Sequence, residues 1–443
     1  MSRLYKIITF ATVLFIYSSS YSALKFSERL EEYTLSNGLN IILIKDTRSP
    51  LVINSIWYKV GSSYEKPGNT GISHVLEHMM FKGTKNFSTG EFSSIIKEMG
   101  GTENGFTSKD YTGYFQKVHK SNLEKCIELE ADRMNNLIFN DKEILSEIEV
   151  VKEERRLRTD DNPISKTFEK IMLNAYGMNN YGIPIIGTMD DIGNITKTDL
   201  KGWYKTHYHP ENAIVIIAGN FDNKNVKKYI EKYYGRINSE KKLMSIKEHV
   251  NYKTTDYFEV YEKVAKPIVF IGFKKPKFNK NRSRDHYALE LFIEIMDGGY
   301  SSRLTKRLVN EKKIALDTFI SNDTYNQHSS LLIIGGTPRG SISTEEFQKS
   351  LLAEFSKKNI DSITINELDI AKARIKANNI YKFDSVLNQA MQVGMLETKN
   401  ISWRELDKYT SIIDSINLEE IKRAGEVYFV NNNKLITIIN PEK

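Results

Sequence analysis

Apolar and polar positions alternate over residues 33–44, Tyr-Thr-Leu-Ser-Asn-Gly-Leu-Asn-Ile-Ile-Leu-Ile, with one interruption at Asn37-Gly38. Alternation marks strands and Asn-Gly is the strongest short hairpin signal, so the pattern predicts two strands folded back at that turn. Another strand is predicted at residues 51–60, opening into a loop at 61–70. There the period changes to that of a helix. In Gly71-Ile-Ser-His-Val-Leu-Glu-His-Met-Met-Phe-Lys-Gly83, Val75, Leu76 and Met79 share one face and His74, Glu77 and His78 the other, while Phe81 fits neither. Helical patterns follow at 88–99, 121–138 and 141–158, with a strand rich in Thr, Tyr and Phe near 111–118.

The polar face of the first helix carries the most specific chemistry. His74-x-x-Glu77-His78 places two imidazoles four residues apart, one turn from each other, where both can grip one ion. Zinc suits the set, because neutral imidazole is its commonest nitrogen ligand and a catalytic zinc keeps one position for water. Glu77, on nearly the same side, is placed to take a proton from that water. H-x-x-E-H also occurs among zinc-peptidase motifs, whereas an ordinary surface helix would need neither histidine.

The helix predicted at 141–158 holds more acids than composition can sort. Taking Ile144, Ile148 and Val151 as the buried stripe, Glu147 and Glu154 lie along its edge two turns apart, and Glu149 and Glu153 point away. Glu147 and Glu154 are therefore the acids able to reach an interior site. The alternative is a solvated helix whose glutamates pair with Lys152, Arg155, Arg156 or Arg158.

Residues 195–217 and 416–438 match without a gap in their order of helix, Asn turn and apolar strand: Tyr208 faces Phe429, Asn212 faces Asn433, and Ile214 to Ile217 face Leu435 to Ile438. A duplicated domain follows from this. The expected division is a signal segment at 1–22, a first domain at 23–235, a linker rich in Lys, Ser and Glu at 236–255, and a homologous second domain at 256–443. The second part shows strands at 267–273 and 329–335, helices at 285–296 and 364–383, and no second H-x-x-E-H. One zinc per chain is the expectation.

Composition narrows the class further. With 443 residues, 40% hydrophobic and 27% charged, the chain has enough apolar material for two cores, and a net charge of +7 spread among acids gives no reason to expect a nucleic-acid partner. Arg3 and Lys6 precede an apolar run at 7–16, and Ser20 and Ser22 precede Ala23, which reads as a secretory signal peptide cut after Ser22. The periplasm is the expected address, with membrane attachment only if that segment stays uncleaved. Cys126 is the single cysteine, so no intramolecular disulfide can form and the cores must carry stability.

Four ordered motifs carry a resemblance: Gly71-Ile-Ser-His-Val-Leu-Glu-His-Met-Met-Phe-Lys-Gly-Thr84, the segment from Gly100-Gly101 to Tyr114, Glu147-x-x-Val-Val-x-x-Glu154, and Gly298-Gly-Tyr-Ser-Ser-Arg-Leu304. With these the chain resembles the pitrilysin and insulinase family of zinc metallopeptidases, and within it the shorter members similar to mitochondrial processing peptidase. The resemblance implies two homologous α+β domains, each a mostly antiparallel β-sheet covered by helices, enclosing a chamber for short or unfolded peptides. It implies His74, His78 and Glu154 as zinc ligands, Glu77 as general base, and Glu147 orienting a ligand histidine or the base. It also implies that Asn104 binds the substrate backbone, with the strand beyond it taking up an extended peptide; Gly105 stands where the family usually has Ala. Self-sufficient members carry an Arg and, seven residues on, a Tyr after the Gly-rich segment, and here Asn310 and Asp317 occupy those places. The implied function is a zinc endopeptidase outside the cytoplasm, the zinc-bearing subunit beside a related zinc-less partner or a second copy. Rival readings are a non-catalytic binding or assembly subunit that retains zinc, and a solute-binding protein with a structural zinc, which would close the fourth position with Cys or His.

Overall fold

A computed structural model describes residues 26–239, 256–430 and 432–442. The signal segment expected at 1–22 and residues 240–255 of the linker lie outside the described residues.

The predicted hairpin forms β1 (Leu30–Thr34) and β2 (Asn40–Lys45), with Thr34 opposite Asn40 and Gly38 at φ 88° in the turn. That left-handed backbone is the one glycine adopts freely, which explains the Asn-Gly signal. A six-stranded sheet is completed by β3 (Leu51–Tyr58), β4 (Thr102–Thr107), β5 (Thr112–His119) and β6 (Ala213–Gly219), in the order β1-β2-β6-β3-β5-β4. The second sheet comprises β7 (Asp256–Glu262), β8 (Ile268–Lys275), β9 (Ala315–Ser321), β10 (Ser330–Pro338) and β11 (Lys434–Pro441), in the order β7-β11-β8-β10-β9.

The two orders are one topology. β2 runs parallel to β6 as β7 does to β11, and every other neighbouring pair is antiparallel in both sheets. Only β1 is additional. The repeat seen in the sequence coincides with the closing units of the two halves. The helix Lys197–His207 starts from a capping box at Thr196 and leads to β6; the helix Leu418–Gly425 starts from a capping box at Asn417 and leads to β11.

The central strands of each sheet are buried on both faces, and the second face is covered by the other half. In β3, Val52, Ile56 and Tyr58 enter the core beneath the first half's own helices, while Ile53 and Trp57 enter a separate cluster with Ala390 and Val393 from the helix Val386–Thr398. Reciprocally, Ile171 and Ala175 from the helix Pro163–Tyr176 pack on Phe270, Leu331, Ile333 and Ile439 of the second sheet. Two-faced burial explains why strands such as β6 read as unbroken apolar runs. The exchange is tightest at Gly394, where an added Cβ would lie 2.1 Å from Trp57 Cε2. Gly394→Ala is therefore expected to destabilise the chain by about 2 kcal/mol, the usual scale of overpacking a core, which urea unfolding would register. Unchanged stability would mean that the two halves are not held at this contact.

The fold places β3 and the histidine helix in sequence, as the strand-to-helix change predicts. The helix spans Ile72–Met79, and Val75, Leu76 and Met79 are fully buried. Phe81 lies past its end, which is why it obeys neither face; its ring packs instead near Tyr114 and under the Arg133 guanidinium. The second acidic helix spans Asp141–Arg155 and passes into a π turn at Arg156–Asp160.

One expectation is corrected at β4. The resemblance implies that the strand beyond Asn104 takes up the peptide, but β5, the strand near 111–118, is paired on both sides, to β3 and to β4. The free edge belongs to β4, which contains Asn104 itself.

Candidate active site

The histidine helix and the helix Asp141–Arg155 meet with their polar edges facing. His74 Nε2 lies 3.6 Å and His78 Nε2 3.4 Å from Glu154 Oε2, and one donor atom from each of the three residues falls within 4.8 Å of the others. This is the only such metal-capable group among the described residues. Metal–ligand bonds near 2 Å in a tetrahedron put neighbouring donors about 3.3 Å apart, so the separations of Glu154 from the two histidines suit a shared zinc, and three protein ligands would leave one position for water.

The remaining acids sort as helical geometry predicts. Glu147 Oε2 accepts from His78 Nδ1 at 3.0 Å and its Oε1 pairs with Lys82 Nζ at 2.7 Å. Glu149 and Glu153 point outward and pair with Lys152 and Arg156, each at 2.8 Å. Arg158, one turn on from Glu154, holds the Oε1 atom that faces away from the histidines, at 2.7 Å.

Glu77 sits beside the group rather than in it. Its Oε2 accepts from the Thr107 hydroxyl at 2.5 Å, and an added Cβ at Gly105 would come within 3.1 Å of its carboxylate, so β4 passes directly over it. Burial pushes the Glu77 carboxyl above its ordinary range, outweighing the Thr107 hydrogen bond and the charge of His78. His74 is driven the other way: burial and the neighbouring His78 lower it to about 4. Burial would lower His78 too, but its hydrogen bonds to Glu147 and Glu154 prevail and raise it to about 9. Glu147 is held below its ordinary value, burial being outweighed by its bonds from His78 and Lys82. In the absence of metal these shifts favour the neutral form of His74 and the protonated form of His78.

The group opens into a cavity of about 700 Å³. β4 contributes Asn104, exposed at its edge, through Thr107, and the rest of the lining mixes the apolar Phe168, Met172, Pro184, Ile185 and Ile186 with the polar Ser165 and Glu169. Asn310 and Asp317 are absent from its lining: both are exposed in the second half, and Asp317 accepts the Thr337 N–H at 3.2 Å. Sequence reasoning missed Thr107, Lys82 and residues 184–186, and it named Arg158 only as a partner for the glutamates of a solvated helix. The signal for Arg158 is its four-residue spacing from Glu154; the others left none.

Comparison with known proteins supplies the family. Residues 40–189 match the family model described as "Insulinase (Peptidase family M16)" and residues 194–375 the one described as "Peptidase M16 inactive domain". The "Zinc protease PqqE" of Helicobacter pylori is 32% identical over 437 residues, 97% of each chain. The "Uncharacterized zinc protease YmxG" of Bacillus subtilis is 26% identical over 92% of this chain and 98% of its own. A crystal structure of a protease from Helicobacter pylori superposes with a TM-score of 0.85 at 31% identity, covering 93% of this chain and 99% of that one. The periplasmic protease PqqL of Escherichia coli shares the fold at a TM-score of 0.78 and 18% identity, with 94% of this chain matching 48% of it. Matched in both halves, and along nearly its whole length by a relative named as a zinc protease, this chain belongs to the insulinase family, peptidase family M16.

Proposed function

We propose that the chain is a zinc-dependent endopeptidase acting on extended peptides outside the cytoplasm, with His74, His78 and Glu154 as the metal ligands and Glu77 as the general base. The observation that carries this is the spacing of the three donor atoms beside the free edge of β4. Zinc bound there would polarise a scissile carbonyl and acidify a water molecule. Glu77, buried and raised in pKa, takes the water's proton and passes it to the leaving amine. An extended peptide adds to β4 as a further strand, with Asn104 exposed at the edge to hold its backbone. Glu147, charged and bonded to His78 Nδ1, keeps the tautomer that turns Nε2 toward the metal.

The same reading divides the chain into domains at 23–235 and 256–443 about a linker at 236–255, with residues 1–22 as the export signal. β6, at Ala213–Gly219, completes the first sheet, in keeping with that boundary. No helix among the described residues is long and apolar enough to cross a membrane. Asn310 and Asp317 lack both a guanidinium fork and a phenol, and they stand away from the cleft, so the chain is the zinc-bearing subunit of a pair completed by a related zinc-less chain or a second copy.

Metal content and peptide cleavage of the mature chain, alone and with a related chain, test the proposal. Zinc with cleavage supports it, and a rise on pairing supports the two-subunit arrangement. Stoichiometric zinc without cleavage in any pairing would leave a binding subunit. Glu147→Gln is expected to weaken zinc binding about tenfold through loss of the His78 anchor, read by competition with a chromogenic chelator; wild-type affinity would free Glu147 of that role.

A further inference from the structure

The helix bearing His74, Glu77 and His78 has no cap of its own: Gly71 stands at the N-cap with φ 88° and offers no side chain. A group from the preceding loop takes its place. Glu65 Oε2 accepts the Gly71 N–H at 2.7 Å, and Glu65 Oε1 accepts the Ser73 N–H at 2.9 Å. An ordinary Ser or Asp cap satisfies one amide from within the helix's own chain. Here one carboxylate bridges two amides and ties the helix start to a different segment.

The surroundings enclose this tie. Glu65 is 5% exposed, and burial pushes its carboxyl up to about 7 against the two N–H donors and the charge of Lys109. Lys109, at the turn after β4, donates in turn to the Ile183 carbonyl, next to the cleft-lining residues 184–186. On the other side of Gly71, an added Cβ would lie 2.6 Å from Ile186 O, and one on Gly187 would lie 2.6 Å from Gly71 Cα. The helix start is thus gripped between Glu65 and residues 186–187, with Lys109 bonded to the Ile183 carbonyl and its charge acting on Glu65.

We propose that Glu65 is a positioning residue of the active centre, fixing where the histidine helix begins and so where His74, Glu77 and His78 present their reacting atoms to Glu154 and the cleft. The helix has only eight residues and its functional side chains are the third, sixth and seventh of them. A displacement at its first turn is therefore carried directly to the donors, whose separations from Glu154 leave little tolerance. The inference rests on the zinc-peptidase reading of those residues.

Glu65→Gln tests it, because the amide keeps the shape but can accept at only one end, turning N–H against N–H at the other. Hydrogen exchange in the metal-free chain is expected to quicken about tenfold over residues 71–78 and to stay unchanged elsewhere. Zinc affinity, by chelator competition, is expected to fall about tenfold, and kcat to drop while KM stays within about twofold. Should Glu65→Gln fail to fold, Glu65→Asp keeps the charge but is too short to span both amides, and is read the same way. A folded variant with wild-type zinc affinity overturns the proposal even if its exchange quickens, since Glu65 would then be a cap and nothing more. If the wild-type chain takes up no zinc, the peptidase reading falls by itself, and uniform exchange in the variant is then what overturns the role of Glu65.

Discussion

Glu77→Gln is expected to keep its zinc and lose about a thousandfold or more in kcat/KM, within the range assigned to a positioned general base. Glutamine fills the same space and can still meet the Thr107 hydroxyl, so the packing of β4 over the helix survives. None of the three close donor atoms is lost, since Glu77 stands outside the group formed by His74, His78 and Glu154. What disappears is the ability to take a proton. The same substitution should stabilise the metal-free chain at neutral pH. A carboxyl whose pKa is raised on folding binds its proton more tightly in the native state, so ionising it opposes folding as pH climbs past the unfolded value, and a neutral amide removes that cost. Loss of activity with a raised melting temperature would mark a residue kept for chemistry rather than for the fold. More than about a tenth of wild-type activity in the variant would remove Glu77 from its assigned role.

Much of this site was legible in the sequence because its parts obey local periodicities. The Asn37-Gly38 hairpin, the change of period before His74, and the sorting of Glu147 and Glu154 from Glu149 and Glu153 each follow from which side of a strand or helix a residue must face. The matching order of helix, Asn turn and apolar strand at 195–217 and 416–438 was legible because a repeat preserves order even when identities are few, and the structure adds a capping box at the start of each helix.

What stayed hidden depends on contacts between distant segments. β4 reads Thr-Glu-Asn-Gly-Phe-Thr, and Asn, Glu and Gly are poor strand formers; it is a strand because β5 supplies its partner. The helix Val386–Thr398 covers the other half's sheet, and nothing in its own apolar spacing names that destination. Glu65 is an isolated acid in a loop with no periodic relation to the histidines, and only the fold brings its carboxylate to Gly71 and Ser73. Metal ligands could be found by spacing along helices, whereas the groups that hold those helices in place could not.

Zinc binding is expected to strengthen with pH by about tenfold per unit from about pH 6 to about pH 8, a hundredfold in all, with one proton released per ion bound. The reason lies in the asymmetry of the two histidines. His74, lowered to about 4, is already neutral in this range and gives up nothing when a metal arrives. His78, raised to about 9 by the carboxylates of Glu147 and Glu154 despite burial, must surrender a proton before Nε2 can bind. Glu147 and Glu154 are held below the ordinary carboxylate range and stay charged throughout, so they do not contribute to the count. Proton release decreases only as pH approaches about 9, where His78 loses its proton without help. Calorimetric titration with zinc in buffers of different ionisation enthalpy gives the proton count directly. In Glu147→Gln one of the groups that raise His78 is gone, Glu154 and Glu77 remaining, so the pH dependence should end at a lower pH than in the wild type while the affinity itself is weaker. An affinity that is flat across this range would mean that His78 is neutral in the metal-free protein, and that Glu147 and Glu154 are not acting on it as their distances require.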